Sequence, residues 1–449
     1  KLTFDYSPFF LKRVSNSVEY PNIFFGQFDE KFFSIPEFLL VNIMTNKQDY
    51  FYFRDENNKL SNKFAFVAGI IPKNENKLII GNQNVLKARF SDASFFIKED
   101  KKRKLNERLY NLKEIIFYDN TGSLFDRAKR IESLVNFIYR NIGKECIHEY
   151  SDYLVFSNSD LATELVKEFP NLQGKVGGYL ASIQKFPKMV SEAFSDQYEY
   201  EFSSSYKNFL TLILSISQKF DSILGYFSLK DNLSGAGDPF GVRRSSLSII
   251  KICIEKKIKI NFFNLFNYNQ ELYKQQKISL KIDYNYLLNF FKKRISILLG
   301  DMGYNQNIIK ASLNNEFDPY SIFQRVKKLD KLCRSEDGIS FLKAFKRLDS
   351  LTENIGAQNL DIKLLDKEEE KTLFGLFKDI KLKINNNEID FIFENSEYLR
   401  KLSSALNNFF DNVIVNDDNI KVKINRKTLI SQFHKILNKE YRFSLLDVK

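Results

Sequence analysis

The chain has 449 residues, enough for two to four domains, and a hydrophobic content of 43%, which is normal for a globular protein. Its 68 Lys and Arg exceed its 56 Asp and Glu, giving a net charge of +12. This surplus suits a polyanionic partner, because neutralising phosphates releases counterions, although a lysine-rich composition with solvated side chains produces the same surplus. Three scattered cysteines and two histidines exclude a disulfide framework, a CxxC metal site and nearly every Ser-His-Asp site.

Residues 1 to about 85 mix strand and helix patterns. Runs 22–28 and 63–71 are aromatic and β-branched and are bounded by Pro, Gly or Asn, so they predict strands. Residues 55–59 have turn composition and lie between two such runs. We therefore predict an α+β part here.

From about residue 86 the apolar residues follow the helical period. Ser123 and Asp126 form a cap pair, Gly143 is a stop, and one face between them is apolar (Leu124, Ala128, Ile131, Val135 and Ile138). Segments 160–169 and 206–227 continue in helical style. A helical domain is predicted over 86–253.

The run DPFGVRR at 238–244 predicts a helix start, because Asp238 can cap free N–H groups and Pro239 fits the first helical position. Arg243 and Arg244 then lie where the helix dipole disfavours positive charge. A partner outside the helix must compensate. It is either a phosphate or a core carboxylate such as Asp160 or Asp221.

Residues 254–282 are polar and rich in Lys, Asn and Gln, so we expect a linker or an insertion. From 283 to 449 a second helical block is broken at 301–306, 357–360 and 415–420 by Gly or Asn/Asp clusters. The last helix has a buried stripe (Leu429, Ile430, Phe433, Ile436 and Leu437). Any single residue of its other face either contacts RNA or is merely solvated, and for the face as a whole we predict RNA binding through Lys421, Lys423, Asn425, Arg426, Lys427, His434 and Lys435.

Ordered sequence motifs connect these segments to a known family. They include GNQNVLKARFSDASFF at 81–96, EFPNLQG at 168–174, DPFGVRR at 238–244 and FFDNVIV at 409–415. From about residue 10 to the end, this series resembles the β subunit of the bacterial two-subunit glycyl-tRNA synthetase. Lys47 and Gln48 stand where that family favours a His-Gln pair.

The resemblance implies a mainly α fold with an α+β N-terminal part (1–85). An HD-like helical domain without metal ligands (86–253), the linker or insertion (254–282) and a helical anticodon-binding domain (283–449) follow. Gln218 stands where an HD phosphohydrolase would place its terminal metal-binding Asp. The family's β subunit is longer at its N-terminus, and this chain starts with Lys1, so we expect an N-terminal truncation.

The resemblance also implies a function. The chain would bind tRNA(Gly) and position it for a separate α subunit, which handles glycine and ATP with Mg²⁺, in a cytoplasmic assembly of two α and two β subunits. The sequence itself predicts no catalytic residue, metal or cofactor in this chain, because synthetase motifs and clusters of His and Cys are missing, and no membrane partner, because no apolar run reaches the roughly 18 residues that span a bilayer. In the helical domain Lys87, Arg89, Arg243 and Arg244 would contact tRNA or be structural.

Two other functions remain open at this point. One is a stand-alone RNA-binding or scaffold protein that never joins an α subunit. The other is a phosphohydrolase of the HD type, which the missing His and Asp ligands oppose.

Overall fold

The computed structural model describes residues 2–143, 148–199, 208–229, 238, 240–313, 317–352, 359–386, 393–438 and 441–446. The fold is mainly helical with a small antiparallel sheet near the N-terminus, which confirms the predicted fold class. The chain divides into two compact units. The first unit is Lys1–Asn136, Glu145–Glu199 and Ser203–Gln218, and the second unit is Phe137–Lys144, Tyr200–Phe202 and Lys219–Lys449.

A four-stranded antiparallel sheet opens the first unit. Its strands β1 to β4 are paired in the order β1-β3-β4-β2, and both predicted strands are confirmed as β2 and β4 (Thr3–Asp5, Asn22–Gln27, Phe51–Arg54 and Leu60–Ala68). The predicted turn is also present, because the N–H of Asp55 donates to the carbonyl of Lys59 at 2.9 Å and Asn58 has a φ of 59°. Two helices, α1 (Pro8–Ser15) and α2 (Glu37–Asn42), accompany the sheet.

Cross-strand packing explains why β2 contains a glycine. Gly26 lies opposite Phe64 on β4, and a Cβ at Gly26 would come within 2.5 Å of the Phe64 ring. The ring therefore needs the open space that glycine leaves. Phe64 is fully buried, whereas Ile23 and Phe25 on the same strand as Gly26 are each 63% exposed.

Eight further helices follow that lie wholly or partly in the first unit. They are α3 to α10 (Glu75–Lys101, Leu105–Asn111, Leu124–Asn141, His148–Leu154, Glu164–Glu168, Lys175–Ile183, Lys188–Asp196 and Phe209–Leu229). The predicted cap of α5 is confirmed, since Asp126 accepts hydrogen bonds from Ser123 and Ser123 Oγ accepts from the N–H of Asp126. Gly143 follows α5 with a φ of 69°, as expected of a helix stop.

The second unit holds the remaining described helices, α11 to α19 (Val242–Glu255, Phe262–Gln275, Tyr284–Asp301, Gln306–Ser312, Pro319–Arg334, Glu336–Ser350, Glu368–Asn385, Ser396–Asn412 and Ile420–Leu437). Breaks at 301–306 and 415–420 occur as predicted, and part of the predicted break at 357–360 lies outside the described residues. Within the described residues, no helix is long and apolar enough to cross a membrane.

The segment predicted as a linker or insertion contains a packed helix, α12. Asn261 caps this helix by accepting the N–H groups of Phe263 and Asn264. Phe262 is buried, and its ring centroid lies 4.9 Å from that of Phe291 and 5.1 Å from that of Phe317. The polar composition of 254–282 concealed the buried face of α12, so the part of this segment that forms α12 packs inside the second unit, whereas residues 276–282 are half-buried or exposed and connect α12 to α13. The other predicted domain boundaries stay predictions.

Candidate nucleic-acid interface

The predicted RNA face lies on α19, the last long helix. Asn419 caps it by accepting the N–H of Lys421 at 3.0 Å. Four of the five stripe residues are buried and Ile436 is half-buried, so the orientation of the helix agrees with the predicted stripe. The polar residues between them divide into buried and exposed ones.

Arg426 is one of the buried ones, with 5% of its surface exposed. Its Nε pairs with the fully buried Glu370, and its Nη1 donates to Asp417 Oδ2 at 2.6 Å and to the Ile414 carbonyl at 3.0 Å. Burial lowers the pKa of Arg426, but the two carboxylates outweigh it and raise the pKa overall. Arg426 neutralises a carboxylate inside the second unit and, contrary to the prediction, is not part of an exposed RNA face.

Asn425 is buried as well and makes a structural contact. Its Nδ2 donates to the Asp361 carbonyl at 2.9 Å, and its Oδ1 accepts the N–H of Asp361 at 2.8 Å. This two-way bond fixes the 3-10 turn Ile362–Leu364 to α19. Asn425 is therefore also not part of an exposed RNA face.

His434 is half-buried and is engaged by its neighbours. Its Nε2 lies 2.6 Å from Asp349 Oδ1, and its ring stacks on Phe345 with centroids 5.3 Å apart. Ser444 donates to the same Asp349 oxygen at 2.9 Å. The group joins α16, α19 and the C-terminal turn, so the structure gives His434 a structural role where the sequence suggested an RNA contact.

Four lysines remain on this helix: Lys421 and Lys435 are exposed, and Lys423 and Lys427 are half-buried. None of them forms an ion pair with a described residue. Lys423 and Lys427 are one helical turn apart and so lie on the same side of the helix. We name these four residues the α19 lysine face.

Lys87 and Arg89 lie on α3 in the first unit. Both side chains are exposed, whereas Leu86 and Phe90 beside them are fully buried. Hydrogen bonds from Lys31 lower the pKa of Asp29, and the charge of Lys87 adds to this effect. Contact of Lys87 and Arg89 with RNA stays a prediction.

The helix that carries Arg243 and Arg244 begins later than predicted. Helix α11 starts at Val242, after Gly241 with a φ of 64°, and Pro239 lies outside the described residues. Asp238 still receives the backbone N–H groups of Arg243 and Arg244, at 3.1–3.2 Å. Gly241 is therefore the residue that precedes the first helical position of α11, three positions later than the cap predicted at Asp238.

Arg243 also has a cationic neighbour. Burial lowers the pKa of Arg294, the charge of Arg243 lowers it further, and Asp238 partly offsets both. A choice between phosphate and carboxylate as the partner of Arg243 and Arg244 stays a prediction.

At the position of the expected HD metal ligand, Gln218 is buried in a network of amides. Its Nε2 donates to Asn158 Oδ1 at 2.9 Å and to Gln197 Oε1 at 2.8 Å. Its backbone carbonyl accepts a hydrogen bond from the Arg127 guanidinium at 3.0 Å. Asn158 in turn donates to the hydroxyl of Tyr198 at 2.6 Å. Neutral amides that are hydrogen-bonded to each other are poor ligands for a transition metal. Within the described residues, no group of three or more His, Cys, Asp or Glu could hold one.

Asp160 is a possible partner of the arginines on the sequence alone, and the structure gives it a different role. The side chain is fully buried, and its Oδ2 accepts the N–H of Gly174 at 2.6 Å and that of Gly177 at 3.2 Å. Burial raises the pKa of Asp160 to about 6, and the N–H groups of the two glycines partly offset the rise. Asp160 thus holds the start of α8, where Gly174 has a φ of 83°.

The EFPNLQG motif has a structural role too. The Nζ of Lys47 donates to the Glu168 carbonyl at 3.2 Å and lies 5.1 Å from the centre of the Phe169 ring. Lys47, at the position of the family's His-Gln pair, therefore binds this motif within the first unit. No signal in the sequence connected the two segments, which are 121 residues apart.

Comparison with known proteins gives consistent matches. Residues 1–314 match the family described as glycyl-tRNA synthetase beta subunit. The glycine–tRNA ligase beta subunit of Buchnera aphidicola subsp. Schizaphis graminum is 32% identical over 98% of this chain and 65% of its own length. Those of Colwellia psychrerythraea and Thermodesulfovibrio yellowstonii are 31% and 32% identical, over 94% and 95% of this chain and 62% and 63% of their own lengths. The chain spans somewhat less than two thirds of these relatives.

Proposed function

This chain belongs to the glycyl-tRNA synthetase beta subunit family, and from that premise we propose that it binds tRNA(Gly) and positions it for glycylation by a separate α subunit. In this proposal the α subunit uses glycine, ATP and Mg²⁺, and the complete cytoplasmic enzyme contains two copies of each subunit. Holding the tRNA in place would supply the proximity that the reaction needs.

The observation that carries the proposal is the α19 lysine face. Its lysines have no carboxylate partner in the part of the chain that the structure describes, on a chain with a net charge of +12. Phosphates are suitable partners for such side chains, because contact releases counterions and fixes the position of the nucleic acid. The buried pair of Arg426 and Glu370 holds the helix in place beneath the face.

The test measures glycylation of tRNA(Gly) by the α subunit of a related two-subunit glycyl-tRNA synthetase, in the presence and absence of this chain. We expect charging only when both polypeptides are present. We also expect no glycine-dependent exchange of ATP and pyrophosphate by this chain alone. If adding this chain leaves the rate of tRNA charging by the α subunit unchanged, the proposal is contradicted. Robust ATP–pyrophosphate exchange by this chain without the α subunit would contradict it as well.

Co-purification with the α subunit, measured beside the glycylation assay, separates the alternative of a stand-alone RNA-binding protein. Such a protein would bind tRNA but would not co-purify with the α subunit and would not change its activity. Against the phosphohydrolase, Gln218 is hydrogen-bonded to the amides of Asn158 and Gln197 and is itself neither a carboxylate nor an imidazole ligand.

A further inference from the structure

We propose that five cations in the first unit form a second RNA-binding surface that contacts the phosphate backbone. They lie where the end of α3 meets the turn between α8 and α9, and we name them the α3 cationic cluster: Lys101, Arg103, Lys104, Lys185 and Lys188. This inference rests on the proposed function and deepens it, because it assigns RNA contact to residues outside the α19 lysine face.

A hydrogen bond between two distant segments creates the cluster. The N–H of Leu105 donates to the side chain of Gln184 at 3.0 Å, across 79 residues of sequence. The bond places 101–104 beside the turn that carries Lys185 and Lys188. The Nζ of Lys101 lies 5.4 Å from the ring centre of Tyr179 on α8, which joins the two segments a second time.

The backbone beneath the cluster is held by a buried ion pair. Arg108 donates to Asp100 at 2.8 Å, and both side chains are almost fully buried. Asp100 also accepts the N–H groups of Glu164 and Leu165, and Arg108 donates to the Ala162 carbonyl at 3.0 Å. These bonds fix the backbone on both sides of 101–104, which reduces the backbone ordering that binding requires.

The nearby acids do not neutralise the cluster. Asp100 is used by Arg108, and Glu99 pairs with Lys102 at 2.6 Å. Glu107, on the next helix, makes no ion pair with any of the five cations. All five are exposed, and none pairs with a described residue. Like charges gathered on one surface repel each other, and a polyanion relieves this repulsion.

The composition of the cluster favours RNA over a protein partner. Lysine is depleted at protein–protein interfaces, and four of the five cations are lysines. A lysine ammonium is a compact point charge that binds phosphate without demanding a particular base. We therefore expect the cluster to contribute affinity and to add little discrimination between RNA sequences.

The test replaces all five residues by Gln and measures binding of tRNA(Gly) by fluorescence anisotropy at several salt concentrations. Affinity should fall roughly tenfold or more at moderate salt, and the slope of log affinity against log salt should shrink by about 0.7 to 0.9 for each phosphate that the variant no longer neutralises. Affinity for an unrelated tRNA should fall by a similar factor. A matched control removes the same charge from exposed lysines elsewhere in the first unit and should keep the parent's affinity and slope: Lys12, Lys59, Lys63, Lys73 and Lys77.

The possible outcomes separate this inference from the proposed function. If the cluster variant and the control bind tRNA as the parent does, the inference is wrong and the proposed function stands. If the parent binds no tRNA, both fail. A folded cluster variant that keeps its tRNA affinity but no longer binds the α subunit would show a protein surface and overturn the inference. A smaller variant, Lys185→Glu with Lys188→Glu, provides the same test if the fivefold variant does not fold.

Discussion

Glu370 is fully buried, and its carboxylate depends on the guanidinium of Arg426 for charge balance. Removing one member of a buried ion pair leaves an uncompensated charge, which costs about 3–5 kcal/mol. We expect Arg426→Gln to lower the free energy of unfolding by about that amount in urea denaturation.

A double variant is the control for this prediction. Arg426→Gln combined with Glu370→Gln removes both charges and keeps a side chain that can accept the N–H of Lys367, the bond that Glu370 makes at 2.9 Å. The double variant should be more stable than the single one. Equal stability of Arg426→Gln and the parent would show that the pair is not important for the fold.

Asp160 makes the stability of the first unit depend on pH. Its pKa in the folded protein is about 6, whereas an aspartate in an unfolded chain has a pKa of about 3.9. Below about pH 4 both states hold the proton, and above about pH 6 both release it. Between these values only the unfolded state releases it. The free energy of unfolding therefore falls as the pH rises, by about 3 kcal/mol in total.

The measurement compares the parent with Asp160→Asn by urea unfolding from pH 4 to pH 7. The amide oxygen of Asn can still accept the N–H groups of Gly174 and Gly177, and the difference between the two proteins cancels most other titrations. We expect the parent to lose stability relative to the variant across this range. A difference that is constant with pH would contradict the prediction.

At the scale of the element, α19 carries both the buried pair and the candidate RNA contacts. Replacing Lys421, Lys423, Lys427 and Lys435 by Gln removes the lysine face and leaves Arg426 in place. We expect weaker binding of tRNA(Gly) and a salt slope smaller by about 0.7 to 0.9 for each phosphate left without its lysine. Filter binding at several salt concentrations measures both quantities.

The control for the α19 lysine face replaces four exposed lysines of α17 and α18 by Gln: Lys371, Lys378, Lys381 and Lys401. It changes the net charge by the same amount and should leave binding close to that of the parent. Unchanged affinity and slope in the folded α19 variant would mean that this face is solvated surface and that the tRNA docks elsewhere.

The close approach of α8 and α9 depends on Gly178. A Cβ at this position would lie 2.6 Å from the carbonyl oxygen of Ser191 and 2.9 Å from the backbone nitrogen of Ser195. Backbone atoms cannot move aside easily, so Gly178→Ala should lower the free energy of unfolding by about 1–3 kcal/mol. Gly81→Ala is the matched variant, because a Cβ there meets nothing within 4 Å in the interior of α3.

Gly81→Ala should raise stability by about 0.5–1 kcal/mol, since alanine loses less conformational entropy in a helix than glycine does. Thermal unfolding followed by circular dichroism compares the two variants. If both shift stability in the same direction, the packing argument at Gly178 is incorrect.

At the scale of the whole molecule, we predict that the purified chain holds much less than one transition metal ion per molecule. Gln218, which stands at the position predicted for a metal-binding Asp, is hydrogen-bonded to the neutral amides of Asn158 and Gln197. Elemental analysis after extensive dialysis is the measurement. One tightly held ion per chain would contradict this prediction and would support the phosphohydrolase alternative.

Local chemistry made much of the fold predictable from the sequence. The cap of α5, the stop at Gly143, strands β2 and β4, and the turn at 55–59 each depend on residues within a few positions of one another. The family could also be identified from the sequence, because the resemblance depends on ordered motifs and not on tertiary contacts. The same local signals misplaced the start of α11, which begins at Val242 after Gly241 and not directly after Asp238.

The sequence could not predict which charged side chains are exposed, because exposure depends on partners that are far away in the sequence. Arg426 and Lys427 are neighbours of similar charge, yet Arg426 is buried against Glu370, 56 residues earlier, whereas Lys427 is half-buried and makes no ion pair with a described residue. The α3 cationic cluster likewise exists only because Leu105 and Gln184 meet across 79 residues. Secondary structure and family thus follow from short-range patterns, whereas the surface that can bind RNA is decided by long-range packing, since only packing determines which cations already have a buried carboxylate.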